Sequence, residues 1–333
     1  MKNKQYDAID GLRTIACIGI VMMHIQANND YQITGFAYES LIPAFTNFVF
    51  LFMVISAFGM CCGYLDRMLN NQISLEEFYI KRYSKILPFF ALLVLMDIVI
   101  SPSKATVIEG FADVTLLFGL FPNHISVIGV GWFLGLIFAF YLIFPFYCVL
   151  LRSRKRAWGA FVISVVLNCV CSAYFNVGRG NIVYCLCYLL AGGLIYIYRE
   201  ELEKFSRKYW WVTLVLAVLS VIGYFAAGPN TATMLSVSVT MLIYALRKSR
   251  VLQNCFTRHF SALSMEVYLS HMVIFRVVEK LHINTMIGSG WLQYIVTVII
   301  TLAGTVVFSV AVKKIFVIIG STNFFRKMEL MGK

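Results

Sequence analysis

The sequence predicts an all-α, polytopic integral membrane protein with about ten transmembrane helices and one short re-entrant or interfacial segment. Hydrophobic residues occupy 60% of the 333 positions, and charged residues only 13%. A soluble domain of this size needs a larger charged surface. The apolar runs also recur at close to the ~20 residues that a helix needs to cross a bilayer. We therefore expect a single transmembrane domain over residues 1–333, with no separate soluble domain.

Eleven apolar segments follow one another along the chain: residues 8–27, 42–64, 83–100, 111–121, 130–151, 157–175, 182–198, 209–227, 231–246, 260–280 and 291–319. Lys and Arg cluster after the second, fifth, seventh and ninth segments and in the C-terminal tail. Basic clusters of this kind are typical of cytoplasmic loops. All of them lie on the same side of the membrane only if one of the segments before residues 152–156 does not cross the membrane. Segment 111–121 is too short to cross, so the prediction is ten spans with both termini in the cytoplasm.

The net charge of +12 also has to be explained. Nucleic acid is a common partner of basic proteins, but here the charge is concentrated in the linkers between spans. The predicted outer loops keep only three basic residues, Lys104, Arg179 and Lys280. The charge therefore indicates orientation in the membrane and a surface that can bind anions, and it excludes nucleic acid as a partner. We expect a multi-pass protein of the cell membrane (plasma or inner), in contact with membrane lipid.

The nine cysteines lie mostly inside apolar segments. Cys185 and Cys187 form a C-x-C pair, but no second pair stands at a spacing typical of zinc sites. We interpret the cysteines as small buried side chains, and we expect neither disulfides nor a metal.

The first apolar segment contains Arg13 and His24, eleven positions apart. At ~100° per residue, eleven steps return to within ~20° of the start, so both side chains share one helix face, ~16 Å apart. An ionisable residue inside a span costs ~2.5–3.5 kcal/mol and usually faces a pathway or a site. Asp10 and Arg13 interrupt the apolar run, and no persuasive cleavage site follows it, so we interpret it as a retained helix rather than a signal peptide.

A neutral imidazole near the outer end of this helix can take a proton from a hydroxyl, which suits acyl or phosphoryl transfer to an alcohol. The alternative for His24 is a hydrogen bond between helices that serves packing alone. Lys81, Arg82 and Lys85 meet the start of the third segment. Such a cluster can bind a polyphosphate or a nucleotide-bearing cofactor, although an ordinary anchor on anionic lipid has the same composition.

Three further ionisable groups lie in apolar surroundings: Asp97, Glu266 and His271. Because each needs a partner inside the membrane, we expect a polar cluster within the bundle that joins the first, third and tenth segments. Trp132 opens the fifth segment, where an aromatic belt at the outer interface explains it without a functional role.

These residues, in chain order, resemble the motifs of the membrane-bound acyltransferase-3 family, whose members O-acylate extracytoplasmic sugars. The matching positions run from residue 10 to residue 271 and form an ordered set. They are D-G-L-R with a histidine after ten residues (Asp10 to Arg13, His24), F-F-x-x-S-G-F (Phe52 to Phe58, with Ser56), R-x-x-R before a proline (Arg82, Lys85, Pro88), W-x-L with F-Y-x-x-x-P (Trp132, Leu134, Phe140, Tyr141, Pro145) and S-x-x-x-Y-L-x-H (Ser264, Tyr268, Leu269, His271).

The resemblance implies an acyl-CoA donor, usually acetyl-CoA, bound from the cytoplasm. It implies that Arg82 and Lys85, with Lys81, hold the phosphates, that Arg13 orients the thioester arm, and that His24 is the general base on a glycan hydroxyl. Direct transfer and an acyl-histidine intermediate both stay open. The resemblance also points to a set of substrate-binding or structural polar residues: Asp10, Ser56, Trp132, Tyr141, Glu266, Tyr268 and His271.

The chain departs from the family pattern at three positions. Ile137 stands where many members have a glutamate, Ala57 replaces a glycine, and Lys85 replaces an arginine. The sequence also ends after its last apolar segment, so we expect the fused hydrolase-like domain of some members to be absent. Alternative functions are a transporter or flippase of a polar glycan or lipid-linked substrate, and a non-catalytic sensor or partner subunit. Self-association as a homo-oligomer is left open.

Overall fold

The computed structural model describes residues 6, 8–120, 128–228, 231–245 and 249–321, and every regular element within these ranges is a helix. Thirteen helices in the described ranges carry the labels used below. They are α1 Ala8–Asn28, α2 Ala37–Leu69, α3 Leu75–Ile100, α4 Lys104–Val114, α5 Trp132–Leu151, α6 Arg154–Ala173, α7 Ile182–Ile197, α8 Arg199–Lys208, α9 Trp210–Ala227, α10 Thr231–Ala245, α11 Cys255–Ser261, α12 Ser264–Lys280 and α13 Trp291–Ser321. The basic tail beyond residue 321 and the basic positions 247 and 248 lie outside the described residues.

Six of these helices, α1, α2, α3, α5, α6 and α13, are long and apolar enough to cross a membrane. Two bent pairs qualify when each is taken as one span: α7 with α8, bent by 71°, and α11 with α12, bent by 73°. Helices α9 and α10 are apolar but shorter. The all-helical membrane fold is thus confirmed. The count of about ten spans and the cytoplasmic termini stay predictions.

Of segment 111–121, only residues 111–114 are in an α-helix, and that helix begins before the segment. Helix α4 starts after Ser103, whose hydroxyl accepts a hydrogen bond from the backbone N–H of Thr106 at 3.0 Å and so caps the helix. Eleven residues extend only ~16 Å, which is too short for a span. A 3₁₀ turn follows, in which Gly119 lies so close to Gly135 of α5 that an added Cβ would be 2.4 Å from the Gly135 carbonyl carbon.

Helix α3 also begins earlier than the apolar pattern indicates. Ser74 caps it by accepting the N–H of Glu77 at 3.0 Å, so the helix starts at Leu75 rather than near residue 83. The basic residues Lys81, Arg82 and Lys85 are therefore part of the helix, in its second and third turns. This places their side chains on a rigid element.

Helix α1 is central to the bundle, because it packs against α2, α11, α12 and α13. Glycine also allows α7 to pack closely against α2. A Cβ on Gly192 of α7 would lie 2.3 Å from the carbonyl oxygen of Val54 on α2. Small residues of this kind let helix backbones pack closely. Such packing is needed inside a membrane because the hydrophobic effect does not drive helices together there.

The long helix α13 buries a row of polar side chains at every fourth position: Gln293, Thr297, Thr301, Thr305 and Ser309. All five are fully buried. The Thr297 and Thr305 hydroxyls donate to carbonyl oxygens one turn earlier in the same helix, which satisfies these groups without water. Helices α6, α9 and α13 expose large apolar side chains on other faces, as lipid contact requires.

The nine cysteines are free thiols in the structure, six of them buried. Among the described residues, no group of three or more His, Cys, Asp and Glu side chains is arranged to hold a metal ion.

Candidate active site

A cavity of about 580 Å³ lies between α1, α2, α3, α5, α11 and α12. Its lining brings together polar residues from the first, third and tenth predicted segments. The charged residues of the lining are Asp10, Arg13, Arg82, Lys85, Arg258 and Glu266. Four of these six are cationic, so the cavity favours an anionic ligand. Asp97, which we also expected in this cluster, does not line the cavity.

Arg82 is held between two aromatic rings. Its guanidinium carbon lies 4.3 Å from the ring centroid of Tyr64 on α2 and 5.5 Å from that of Tyr141 on α5. Its Nε is buried without a hydrogen-bond partner, and no described carboxylate is within ion-pair distance. The aromatic contacts orient the guanidinium and leave its charge available for an anion.

The other two basic residues of α3 differ from each other. Lys85 lines the cavity and has an exposed side chain. Lys81 is absent from the lining, and its ammonium group donates to the Glu77 carboxylate one turn earlier. The expected trio is therefore divided, because a step of one residue from Lys81 to Arg82 turns the side chain by ~100° around the helix.

Asp10 and Arg13 form one wall of the cavity on α1. Asp10 accepts a hydrogen bond from the hydroxyl of Ser261 at 2.7 Å, which ties α1 to α11. Arg13 lies against Gly59 of α2, where an added Cβ would be 3.3 Å from its Nη2. Ser56 lies one turn before Gly59 and lines the same cavity. The guanidinium of Arg13 therefore packs closely against α2 at position 59.

Glu266 is buried in the lining, with an exposed fraction of 6%. Its carboxylate pairs with the ammonium group of Lys313 at 2.7 Å, and Lys313 also donates to the carbonyl oxygen of Ala262 at 3.1 Å. This ion pair connects α12 to α13.

His24 and His271 lie beside each other, with ring centroids 5.1 Å apart and planes at 44°. His271 is completely buried, and its Nδ1 lies 2.6 Å from the carbonyl oxygen of Tyr268. A carbonyl can only accept, so Nδ1 carries the proton and Nε2 carries the lone pair. That Nε2 is buried without a hydrogen-bond partner.

The histidine pair lies outside the cavity lining, as does Trp132. Tyr268 does line the cavity, and its ring is 6.0 Å from the His271 ring. The Tyr268 ring is also 5.5 Å from the ring of Phe133, another lining residue. Tyr268 therefore contacts the cavity on one side and the histidine pair on the other.

Three residues that we did not predict for the site from the sequence contribute to this region. Arg258 lines the cavity, Lys313 pairs with Glu266, and the Arg179 guanidinium lies 5.3 Å from the Trp132 ring. The sequence does hold a signal for two of them. Lys313 interrupts an apolar run, and Arg179 is one of only three basic residues in the predicted outer loops.

A family model described as an acyltransferase domain matches residues 6–310 of the chain. The chain belongs to the acyltransferase-3 family. The matched range includes the whole cavity lining, both histidines and Arg179. No curated protein and no solved structure shows a significant match. This acyltransferase-3 protein is therefore a multi-pass membrane acyltransferase, and the resemblance found in its motifs is confirmed.

Proposed function

We propose that the protein moves an acyl group, in the first place acetyl, from cytoplasmic acyl-CoA to a hydroxyl of an extracytoplasmic or cell-surface glycan. We further propose that it does so in the plasma or inner membrane of the cell. The observation that supports this most is the arrangement along α1. A cationic cavity, in which Arg82 has no described carboxylate partner, lies on one side of Tyr268, and the His24–His271 pair lies on the other.

The donor fits the cavity by charge. Coenzyme A carries several phosphate charges, and Arg82, Lys85 and Arg258 supply cationic side chains to one cavity. Arg82 is the strongest of the three, because aromatic contacts fix it and its Nε has no partner to lose. Lys81 then contributes long-range charge only, since its ammonium group is engaged with Glu77. The pantetheine arm would run past Arg13 between the apolar side chains of α2 and α5.

His24 is the proposed general base. As the acceptor oxygen attacks the thioester carbonyl, the hydroxyl proton moves to the imidazole. The tetrahedral intermediate then breaks its carbon–sulfur bond, and the leaving thiolate takes the proton back. A new oxygen–carbon ester bond replaces the thioester, and His24 returns neutral. Holding the thioester and hydroxyl at one place supplies much of the acceleration.

His271 is the proposed positioning residue for His24. Its Nε2 has no hydrogen-bond partner and the His24 ring is adjacent, so its lone pair could accept a hydrogen bond from the imidazolium that forms on His24. This would be the role that a carboxylate has in other base–orienter pairs.

Mass spectrometry of surface glycans provides the test. Cells that make the wild-type protein should carry O-acyl groups that are absent when the only copy is His24→Ala. Membrane levels of the two proteins should match. Equal acylation in both strains would overturn the assignment of His24, and a wild-type strain without O-acylated glycans would overturn the proposed acceptor.

A further inference from the structure

Arg179, in the loop between α6 and α7, is held in place although its side chain is exposed. Its guanidinium lies 5.3 Å from the ring centroid of Trp132, the first residue of α5. It also donates a hydrogen bond of 2.5 Å to the hydroxyl of Thr46, in the first part of α2. Two elements therefore fix one long side chain, so less conformational entropy is lost when a ligand binds there.

The charge of Arg179 is not neutralised by the described part of the protein. No described carboxylate lies within ion-pair distance of it. Arg276, near the end of α1 that carries His24, differs in this respect. Its guanidinium donates to Glu279 at 2.6 Å and to Asn28 at 3.3 Å. An oriented arginine without an acidic partner is a binding group for an anion.

Arg179 is also close to the proposed chemistry. The Trp132 ring that it contacts is the first of a series of adjacent rings, Trp132, Phe133, Tyr268 and His271, with centroids 5.5–6.1 Å apart, and His271 adjoins His24. Phe133 and Tyr268 in this series also line the cavity. A group bound at Arg179 would therefore lie at the His24 end of α1, opposite to Arg13.

We propose that Arg179, with Trp132 and Thr46, binds a negatively charged group on the acceptor, so that the acceptor is an acidic glycan carrying carboxylate or phosphomonoester groups. This inference rests on the proposed glycan O-acyltransferase function. Guanidinium suits both anions because its planar fork of N–H donors matches their paired oxygens. The exposure of Arg179 favours recognition of an incoming polymer over stabilisation of charge at the reacting carbonyl, which needs a water-excluded position.

The test uses the full-length protein in proteoliposomes with radiolabelled acetyl-CoA. The acceptor is the deacylated surface glycan of the cell in two forms. One form is native, and the other has its carboxyl groups reduced to alcohols and its phosphomonoesters removed. The proteins compared are wild type, Arg179→Gln and Arg179→Lys, with Arg276→Gln as the matched control for an exposed arginine near the same end of α1.

For the native glycan, Arg179→Gln should raise the KM by about tenfold and leave kcat close to wild type, since one charge-assisted contact is lost. The KM of Arg179→Lys should lie between those of wild type and Arg179→Gln, and the KM of Arg276→Gln should equal that of wild type. For the neutralised glycan, wild type and Arg179→Gln should have the same high KM. A wild type that does not distinguish the two glycans would overturn the inference.

A kcat loss in Arg179→Gln that is equal for both glycans would also overturn it, because that result places the charge at the reacting carbonyl. Wild-type protein that acylates neither glycan form would overturn the proposed function and this inference with it. If the wild type acylates the glycan and Arg179→Gln does so with the same kinetics, only the inference is overturned.

Discussion

The His24 and His271 rings lie 5.1 Å apart, and the Nδ1 of the buried ring is committed to the Tyr268 carbonyl. The two histidines therefore differ in the hydrogen bonds and proton transfers that their rings can take part in. His271 is fully buried with a fixed tautomer and a lone pair on Nε2, whereas His24 is only half-buried. One ring can therefore orient and the other can exchange a proton with a substrate.

Replacing His24 with alanine should stop acyl transfer while donor binding persists. General-base groups contribute about 10²–10⁴-fold to a rate, so single-turnover transfer from labelled acetyl-CoA should fall by that factor. His271→Gln should reduce kcat less, by about tenfold, because it removes an orienting partner rather than the base. The double variant should be no slower than His24→Ala alone, and an additive loss would show that His271 acts independently of His24.

Arg82→Gln should weaken donor binding. A hydrogen bond to a charged group contributes about 1.5–3 kcal/mol, which corresponds to a loss of about 10–150-fold in affinity for acetyl-CoA. Thermal stabilisation of the purified protein by saturating acetyl-CoA measures this effect. Lys81→Gln on the same helix is the matched control, because Lys81 is bonded to Glu77 and lies outside the cavity. If both variants lose stabilisation equally, the cavity does not hold the phosphates.

The membrane fold could be predicted from the sequence because the length of each apolar segment and the charge of each loop are properties of a short stretch of sequence. The first residues of the helices were harder to predict. Ser74 and Ser103 extend α3 and α4 toward the N-terminus through single capping bonds, which an apolar pattern does not register. The bends of 71° after α7 and 73° before α12 likewise fall at short breaks that the apolar pattern does not mark.

The candidate site was predictable only in part, for a similar reason. Arg13 and His24 share a face by helix geometry alone, and the family motifs pointed to Arg82, Tyr268 and His271. The contact between His24 and His271, in contrast, depends on how α1 packs against α12. Arg258 was predicted only as a basic residue of a cytoplasmic linker. The sequence alone does not show that α11 packs against the cavity and brings Arg258 into its lining.

Gly192→Ala should prevent correct assembly of α7 against α2. The new Cβ would meet the Val54 carbonyl oxygen at 2.3 Å, and a backbone atom cannot turn aside. We expect a loss of folded protein measured by size-exclusion chromatography of detergent extracts. Gly159→Ala is the matched control, because its Cβ would meet nothing within 4 Å and alanine favours helix by about 1 kcal/mol. Normal yield of Gly192→Ala would contradict this packing of the two helices.

The Glu266–Lys313 pair should stabilise the protein by connecting α12 to α13. Lys313→Met leaves the carboxylate of Glu266 buried without its cation, which should destabilise the fold by about 1–3 kcal/mol and lower the Tm of the purified protein. Glu266→Gln should cost less, since the half-exposed Lys313 keeps contact with water and with the Ala262 carbonyl. The double variant should recover most of the Tm lost in Lys313→Met, because no buried charge remains. A double variant that melts as low as Lys313→Met would show that Lys313 stabilises α13 by a route other than its pairing with Glu266.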